Sequence, residues 1–495
     1  MIFLGIDLGA SSVKVLAVDQ EGNILGEASR EYLVHYPKSN WAEQNPEDWW
    51  VNTKEAIKEL ISKSNIPSDK VRSIGFSGQM HGLVALDESN NVLFPAILWC
   101  DQRTTEECED ITNHFGQEKL TELVGNKALT GFTAPKILWV KKNKQELFEK
   151  IRHILLPKDY IRFKLTGDYA TDVSDASGML LLDVENRTWS QEMIEYMGID
   201  KDCLPKLYES YEITGNLTKE VKEELGLSGD VLVVGGAGDN AAGAIGTGTV
   251  KEGTVMVTLG TSGVVFAAHD EYAVDSKNRL HAFCHSNGKY HSMGVMLSAA
   301  SCLKWWVEEA NKGMDFDELL NEAALSKLGC DGVIFLPYLM GERTPYADPN
   351  AKGTFLGLSM TSTRGDMTRA VLEGVAFGLR DSLEILKDIK VNISQIIAIG
   401  GGSKSPLWKQ ILADIFGQTI EEINTNQGGA LGAAILAGVG AGEFKTIEEA
   451  CTKFIKVVGS VKPIDENVKR YNKIHKIYTK AYESLKDWFE LSANI

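Results

Sequence analysis

An apolar run that breaks at a turn of small residues and then resumes occurs twice in this chain. The first is IFLGIDLGASSVKVLAV (2–18) and the second TVMVTLGTSGVVFAA (254–268). Each predicts a strand, a tight turn of glycine and hydroxyl residues, and a second strand. The polar DQEGN (19–23) predicts a further hairpin turn, so residues 1–30 read as three short strands. Residues 46–63 open with Pro46 and carry Trp49, Trp50, Ala56, Ile57, Leu60 and Ile61 at helical spacing. VRSIGFSGQ (71–79), VLVVGG (231–236) and IIAIGGG (396–402) are apolar runs leading into glycine-containing loops, as expected of parallel strands covered on both faces. Each half also holds a helix rich in Ala and Gly, DNAAGAIG (239–246) and GGALGAAILAG (428–438). Residues 466–490 carry Val468, Tyr471, Ile474, Ile477, Tyr478, Tyr482 and Leu485 as an apolar stripe on a charged helix, which predicts a packing helix.

Strands that alternate with helices imply an α/β class. The second half repeats the order of the first, and this predicts two lobes, 1–245 and 246–495, divided in the turn-rich GTGTVKEG (246–253). A chain of 495 residues, 43% apolar and 24% charged, is globular and long enough for two cores. The net charge of −17 argues against a nucleic-acid partner, since phosphate backbones require clustered Lys and Arg. The N-terminal apolar run is short and contains Asp7, and no apolar run reaches spanning length, so neither a signal peptide nor a membrane partner is expected. Seven scattered cysteines without a CxxC pair read as reduced thiols of a cytoplasmic protein.

The two turns carry the candidate chemistry. Gly9 and Gly260 lie about half a chain apart in matching positions. Such turns expose backbone N–H groups and hydroxyls that favour anions such as phosphate. Two phosphate loops from related halves suggest a nucleotide held between lobes, and both loops reach it only if the lobes approach each other. Asp7 stands beside the first loop, and a carboxylate next to phosphates makes sense with a cation between them, Mg²⁺ acting through water. Asp239 follows GGAG at a helix start, where it is either a cap or a general base taking the proton of an attacking hydroxyl. IGGGSKSPLW (399–408) lets backbone approach a flat or charged group; it is neither GxGxxG nor a P-loop. His81, in GQMHG, stands at a strand end facing the same cleft.

At GFTAPKILWVKKN (131–143) and GTFLGLSMTSTRGDMTRAVLE (353–373) the chain resembles the two signatures of the FGGY carbohydrate kinases, members of the actin-like superfamily. LLPKDYIRFKLTGDYATDVSDASG (155–178) and YLMGERTP (338–345) strengthen the likeness, which runs from residue 1 to about 485. The resemblance implies two actin-like (ribonuclease H-like) lobes with a nucleotide cleft between them, and ATP-dependent phosphorylation of D-xylulose. By the same resemblance Asp239 is the proton acceptor, Met80 and His81 bind the sugar, and Asp7 lies by Mg²⁺. Gly9, Ser11, Ser12 and Lys14, with Gly260, Thr261 and Ser262, form the phosphate side of the ATP site, and Gly401 and Gly402 the adenosine side. Glycerol kinases carry Arg-Glu where this chain has Met-His, which points to a keto-pentose. The partners implied are a sugar and ATP, with room for a homodimer. One departure is Ala10, where the family usually has Thr, with Ser12 two residues on in place of a frequent Gly. Other ketoses or polyols, a non-catalytic sugar sensor and an ATP-driven chaperone are the competing readings; retention of Asp7 and Asp239 disfavours the sensor, and no peptide-binding domain follows the second lobe.

Overall fold

The computed structural model describes residues 1–493. The first expected strand trio forms as read: Ile2–Leu8, Ser12–Asp19 and Ile24–Glu31 make an antiparallel meander. Val71–Gly78 then joins the other side of Ile2–Leu8 in parallel, and Leu232–Val234 follows it. The second lobe repeats this plan. Thr254–Leu259 pairs antiparallel with Gly263–His269 and parallel with Gln395–Ile399, and Tyr290–Met296 supplies the third meander strand. In both lobes the central strand is the one before the glycine turn, so both turns emerge from the middle of a sheet.

Helix Pro46–Lys63 begins where Asn45 accepts a hydrogen bond from the Glu47 N–H at 3.2 Å, with Pro46 fixing the first turn. It covers one face of the first sheet with Trp49, Ile57 and Leu60. VLVVGG is shorter as a strand than its composition suggests, only Leu232–Val234 being paired, because Gly236 takes a left-handed backbone (φ 76°) and turns the chain. Helix Arg364–Asp388 explains the second signature. Thr363 and Asp366 form its capping box, and buried Glu373 accepts from the Tyr471 hydroxyl at 2.7 Å and pairs with Arg369 at 2.7 Å. The terminal helix is Asp465–Ser492, packed through Tyr471, His475, Tyr478, Tyr482 and Phe489; Ile477, expected on its buried stripe, is 61% exposed.

The division at 245/246 follows chain order, but packing crosses it. Helix Gly428–Gly440 lies against the first sheet, in one apolar cluster with Phe3, Leu16, Val18 and Ala241. Its small residues permit this. A Cβ added at Gly5 would stand 1.9 Å from the Ala430 carbonyl oxygen, and one at Gly75 would stand 2.1 Å from that of Ala433. Helices Asp239–Gly246 and Gly428–Gly440 also touch backbone to backbone, Gly246 against the Gly428 carbonyl and Gly432 against that of Ala242.

Candidate active site

The two glycine turns close in the same way. The Gly9 N–H donates to the Ser12 carbonyl at 2.9 Å, and the Gly260 N–H to that of Ser262 at 3.1 Å. The Tyr32 hydroxyl holds the first turn by donating to the Gly9 carbonyl at 2.6 Å, and the Ser301 hydroxyl holds the second through Thr261 at 2.7 Å. Ser11, Thr261 and Ser262 are left exposed to the cleft. Lys14 is engaged elsewhere: it pairs with Glu27 at 2.9 Å and donates to Gln427 at the start of the crossing helix. Asp7 ends the central strand, opposite Lys14 on one side and Ser77 on the other. Burial raises its carboxyl above the usual carboxylate value, with the Ser77 hydroxyl and the Lys14 charge opposing. Gly429 lies against both groups, since a Cβ there would meet the Ser77 hydroxyl at 2.5 Å and Asp7 Oδ1 at 3.0 Å.

A cavity of about 400 Å³ lies between the lobes. Met80, His81, Asp239, Gly260 and Ser262, separated widely in sequence, all line it. Trp99, Asn240, His281 and Arg343 line it too. None of these four was assigned a role from sequence, although Arg343 lies in the YLMGERTP segment. His81 adopts a left-handed backbone (φ 70°), unusual for a residue other than glycine. The GFTAPKILW motif holds it there: buried Lys136 donates to the carbonyls of His81 at 2.8 Å and Gly131 at 2.6 Å, and Thr133 adds a hydrogen bond to His81 at 3.1 Å. Burial pushes the Lys136 ammonium down to about 7. The His81 Nδ1 lies 2.7 Å from the Gly178 carbonyl oxygen. A carbonyl only accepts, so Nδ1 carries the proton and Nε2 is left as an acceptor. Burial holds the ring neutral, pushing its pKa down to about 3.

Asp239 is the first residue of its helix, and Gly238 is the cap. The carboxylate therefore does not cap; it accepts from the N–H of Asn240 at 2.7 Å and from its amide at 2.9 Å. It is open to cleft water yet ringed by protein, and that enclosure, with the charge of Asp7, pushes it up to about 7. Beneath it runs a buried polar floor. The Gly238 N–H donates to the Ser174 hydroxyl at 3.2 Å, and Ser174 donates to Asp172 at 2.5 Å. Lys158 pairs with Asp159, Asp172 and Asp175 at 2.6, 2.9 and 3.4 Å, all four fully buried. Burial, only partly offset by Lys158, raises the Asp175 carboxyl well above its ordinary value.

Gly401 and Gly402 lie between two further cavities in the second lobe. One, of about 660 Å³, also touches Gly260, Thr261, Leu303, Phe316 and Trp408. The other, of about 640 Å³, runs past Gly400 and Lys404 to Asn426 and Gly428. A side chain at Gly402 would meet Leu259 Cβ at 2.9 Å, whereas Gly401 faces open space. Among the described residues no group of three or more His, Cys, Asp or Glu is placed to hold a metal. Asp7 and Asp239 nonetheless bring two carboxylates near enough that the charge of one acts on the other, beside the glycine turns, and a hard cation taking its remaining ligands from water and phosphate would relieve that repulsion. No helix among them is long and apolar enough to cross a membrane.

Two related lobes, a glycine-and-hydroxyl turn from each and a carboxylate between them fit a phosphotransfer enzyme acting on a small hydroxylated substrate. The comparisons make this specific. Residues 2–246 match the N-terminal domain of the FGGY family of carbohydrate kinases and residues 255–441 its C-terminal domain. The chain belongs to that family and is a carbohydrate kinase with two actin-like, ribonuclease H-like lobes. It is 40% identical to the xylulose kinase of Bacillus subtilis (strain 168) over 98% of this chain and 97% of that protein. The solved structure of a xyloylose kinase from Brucella ovis superposes with a TM-score of 0.94 at 38% identity, covering 99% of this chain and 100% of that one. A gluconate kinase from Lactobacillus acidophilus superposes with a TM-score of 0.93 at 28% identity, over 98% of each chain.

Proposed function

We propose that the protein transfers the γ-phosphoryl group of ATP to the terminal hydroxyl of D-xylulose, giving D-xylulose 5-phosphate, in the cytoplasm. The observation that carries this reading is the shared cavity holding Asp239, His81 and Ser262. It joins a base, a sugar-reading group and a phosphate loop, and relatives named xylulose kinases match the whole length of the chain. In this reading Met80 and His81 bind the sugar. Asp239 takes the proton of the attacking hydroxyl, for which a carboxyl titrating near neutrality is suited. Ser11, Ser12, Thr261 and Ser262, with the N–H groups of Gly9 and Gly260, bind the phosphates. Gly401 and Gly402 floor the adenosine, residues 1–245 carry the sugar, and most of 246–495 carries the nucleotide. Ala10 adds no hydroxyl to the first loop, and Ser11 takes that place. Lys14 acts by holding Gln427 and Glu27 beside the loop.

Asp7 would hold Mg²⁺ through water. The bound ion would supply charge neutralisation at the phosphates. A panel of pentuloses, hexuloses, polyols and gluconate in an assay coupled to ADP release tests the reading; xylulose is expected to give the highest kcat/KM, and a higher value for any other acceptor overturns it.

A further inference from the structure

The YLMGERTP segment has no part in the roles above, yet it sends one side chain into the sugar cavity. We propose that Arg343 completes this pocket from the second lobe and reads the carbonyl end of a ketose. The inference rests on the ketose-kinase reading and deepens it.

The residues on either side of Arg343 are locked. Glu342 Oε1 accepts from the N–H groups of Leu297 at 3.1 Å and Arg343 at 2.7 Å, and the backbones of Glu342 and Asp348 pair in both directions at 2.8 and 2.9 Å. Thr344 donates through its hydroxyl to the Arg279 carbonyl at 2.9 Å, and its backbone N–H donates to the Val295 carbonyl at 3.0 Å. Between them Arg343 lines the cavity that also contains His81 and Asp239. Among the described residues its guanidinium makes no hydrogen bond and has no carboxylate within ion-pair distance; its electrostatic neighbours are Glu342, Lys127, His81 and His281. A rigid turn thus places a charged fork of donors at a space where no protein atom accepts from it, the unpartnered Oδ1 of Asn278 lining only the adjoining recess. Such a group is satisfied by water or by a ligand.

Position and chemistry then select the ligand atom. His281, Leu129 and Arg343 continue from the cavity into a small recess that includes Lys127, and Asp239 does not line that recess. Arg343 therefore stands at the end of the pocket away from the base. A pentulose with its terminal hydroxyl at Asp239 turns its keto end there. A ketone oxygen only accepts, whereas His81 Nε2 also accepts and so reads a hydroxyl. The Asn240 amide donates one N–H to Asp239, which holds that group at the base end of the pocket. Trp99 and His281 supply at most one neutral N–H each; Lys127 lines the recess and not the cavity, so among the described residues that line the cavity Arg343 is the one cation and supplies the charge-assisted donors, the stronger kind.

The test compares xylulose with xylitol, the pentitol that has a hydroxyl where the ketose has its carbonyl. Arg343→Met is expected to lower kcat/KM for xylulose roughly ten- to hundred-fold, the range for losing a hydrogen bond to a charged group. The inhibition constant of xylitol and the KM for ATP should change by no more than about threefold, since neither ligand places a carbonyl there. Arg343→Lys, which keeps charge but not the fork, should fall between, and it carries the same comparison if Arg343→Met does not fold. Equal weakening of xylulose and xylitol, a change confined to ATP, or a ketose-selective loss in Trp99→Phe but not in Arg343→Met would overturn the assignment while leaving the kinase reading intact. A wild-type enzyme that phosphorylates no ketose would overturn the function reading, and this inference with it.

Discussion

Gly432 passes so close to Ala242 that a Cβ on it would stand 1.9 Å from the Ala242 carbonyl oxygen. The relationship is nearly reciprocal, since a Cβ at Gly246 would stand 2.0 Å from the Gly428 carbonyl. The helix that begins with Asp239 is thereby seated on a helix from the far end of the chain. Site and fold meet at this crossing, because the same helix that presses on the first one also brings Gly429 against Asp7.

Gly432→Ala should therefore destabilise the enzyme by about 1–3 kcal/mol, as overpacking does, and reduce kcat as well because Asp239 shifts. Gly243→Ala is the control. It lies on the same helix as Asp239 with nothing within 4 Å of an added Cβ, so it should be neutral or gain about 0.5–1 kcal/mol from the better helix former. Thermal melts of the two variants settle this; equal melting temperatures would mean that the crossing tolerates relaxation.

Asp239→Asn should fold and bind ATP while losing about 10²- to 10⁴-fold in kcat, the usual contribution of general-base catalysis. The wild-type kcat/KM should rise with pH through about 7, where the carboxyl loses its proton. The variant's residual rate should lack that limb. A variant that keeps the limb would assign it to another group.

His81→Ala should raise KM for the sugar at least about tenfold, through loss of the Nε2 acceptor and of the side-chain anchor at Gly178. The KM for ATP at saturating sugar is expected to change much less. Lys136→Met should produce the same sugar-specific change in milder form, since Lys136 holds the His81 and Gly131 carbonyls. A larger effect on ATP than on sugar would move His81 out of the sugar site.

His291 gives a pH test of stability. Its ring stacks on Phe266 at 4.1 Å between centroids and is buried beside His285, His269 and His281. Burial holds its pKa well below the ordinary 6.5. The folded protein thus keeps His291 neutral while the unfolded chain takes up a proton below pH 6.5. The stability contribution is present above that pH and is lost as pH falls, by up to about 1.4 kcal/mol per pH unit. His291→Phe removes this linkage. The stability difference between variant and wild type should grow in the variant's favour from pH 6.5 to 4.5, and parallel denaturation curves across that window would refute the assignment.

The repeated strand–turn–strand pattern with its two glycine turns, the helix at 46–63 and the Ala/Gly-rich helices were legible in the chain because each is local. Period, turn chemistry and the demand for small residues are written within a dozen positions. Asp239 and His81 were legible as candidates for the same reason, each following a strand into a glycine loop, whereas Met80 came only from the family resemblance. Three things were not. The return of helix 428–440 to the first sheet depends on glycines at positions 5 and 75 meeting carbonyls more than 350 residues later, and no local pattern encodes that contact. The Lys136 anchor and the acceptor nitrogen of His81 depend on which carbonyls, those of residues 81, 131 and 178, the fold brings within hydrogen-bond reach. Arg343 stood in a motif visible from the start, but only the meeting of two lobes around one cavity places it beside His81 and Asp239. Sequence determined the elements and the kinds of group they carry; the tertiary structure decided which of those groups share a space, because hydrogen bonding and charge act over a few ångströms regardless of distance along the chain.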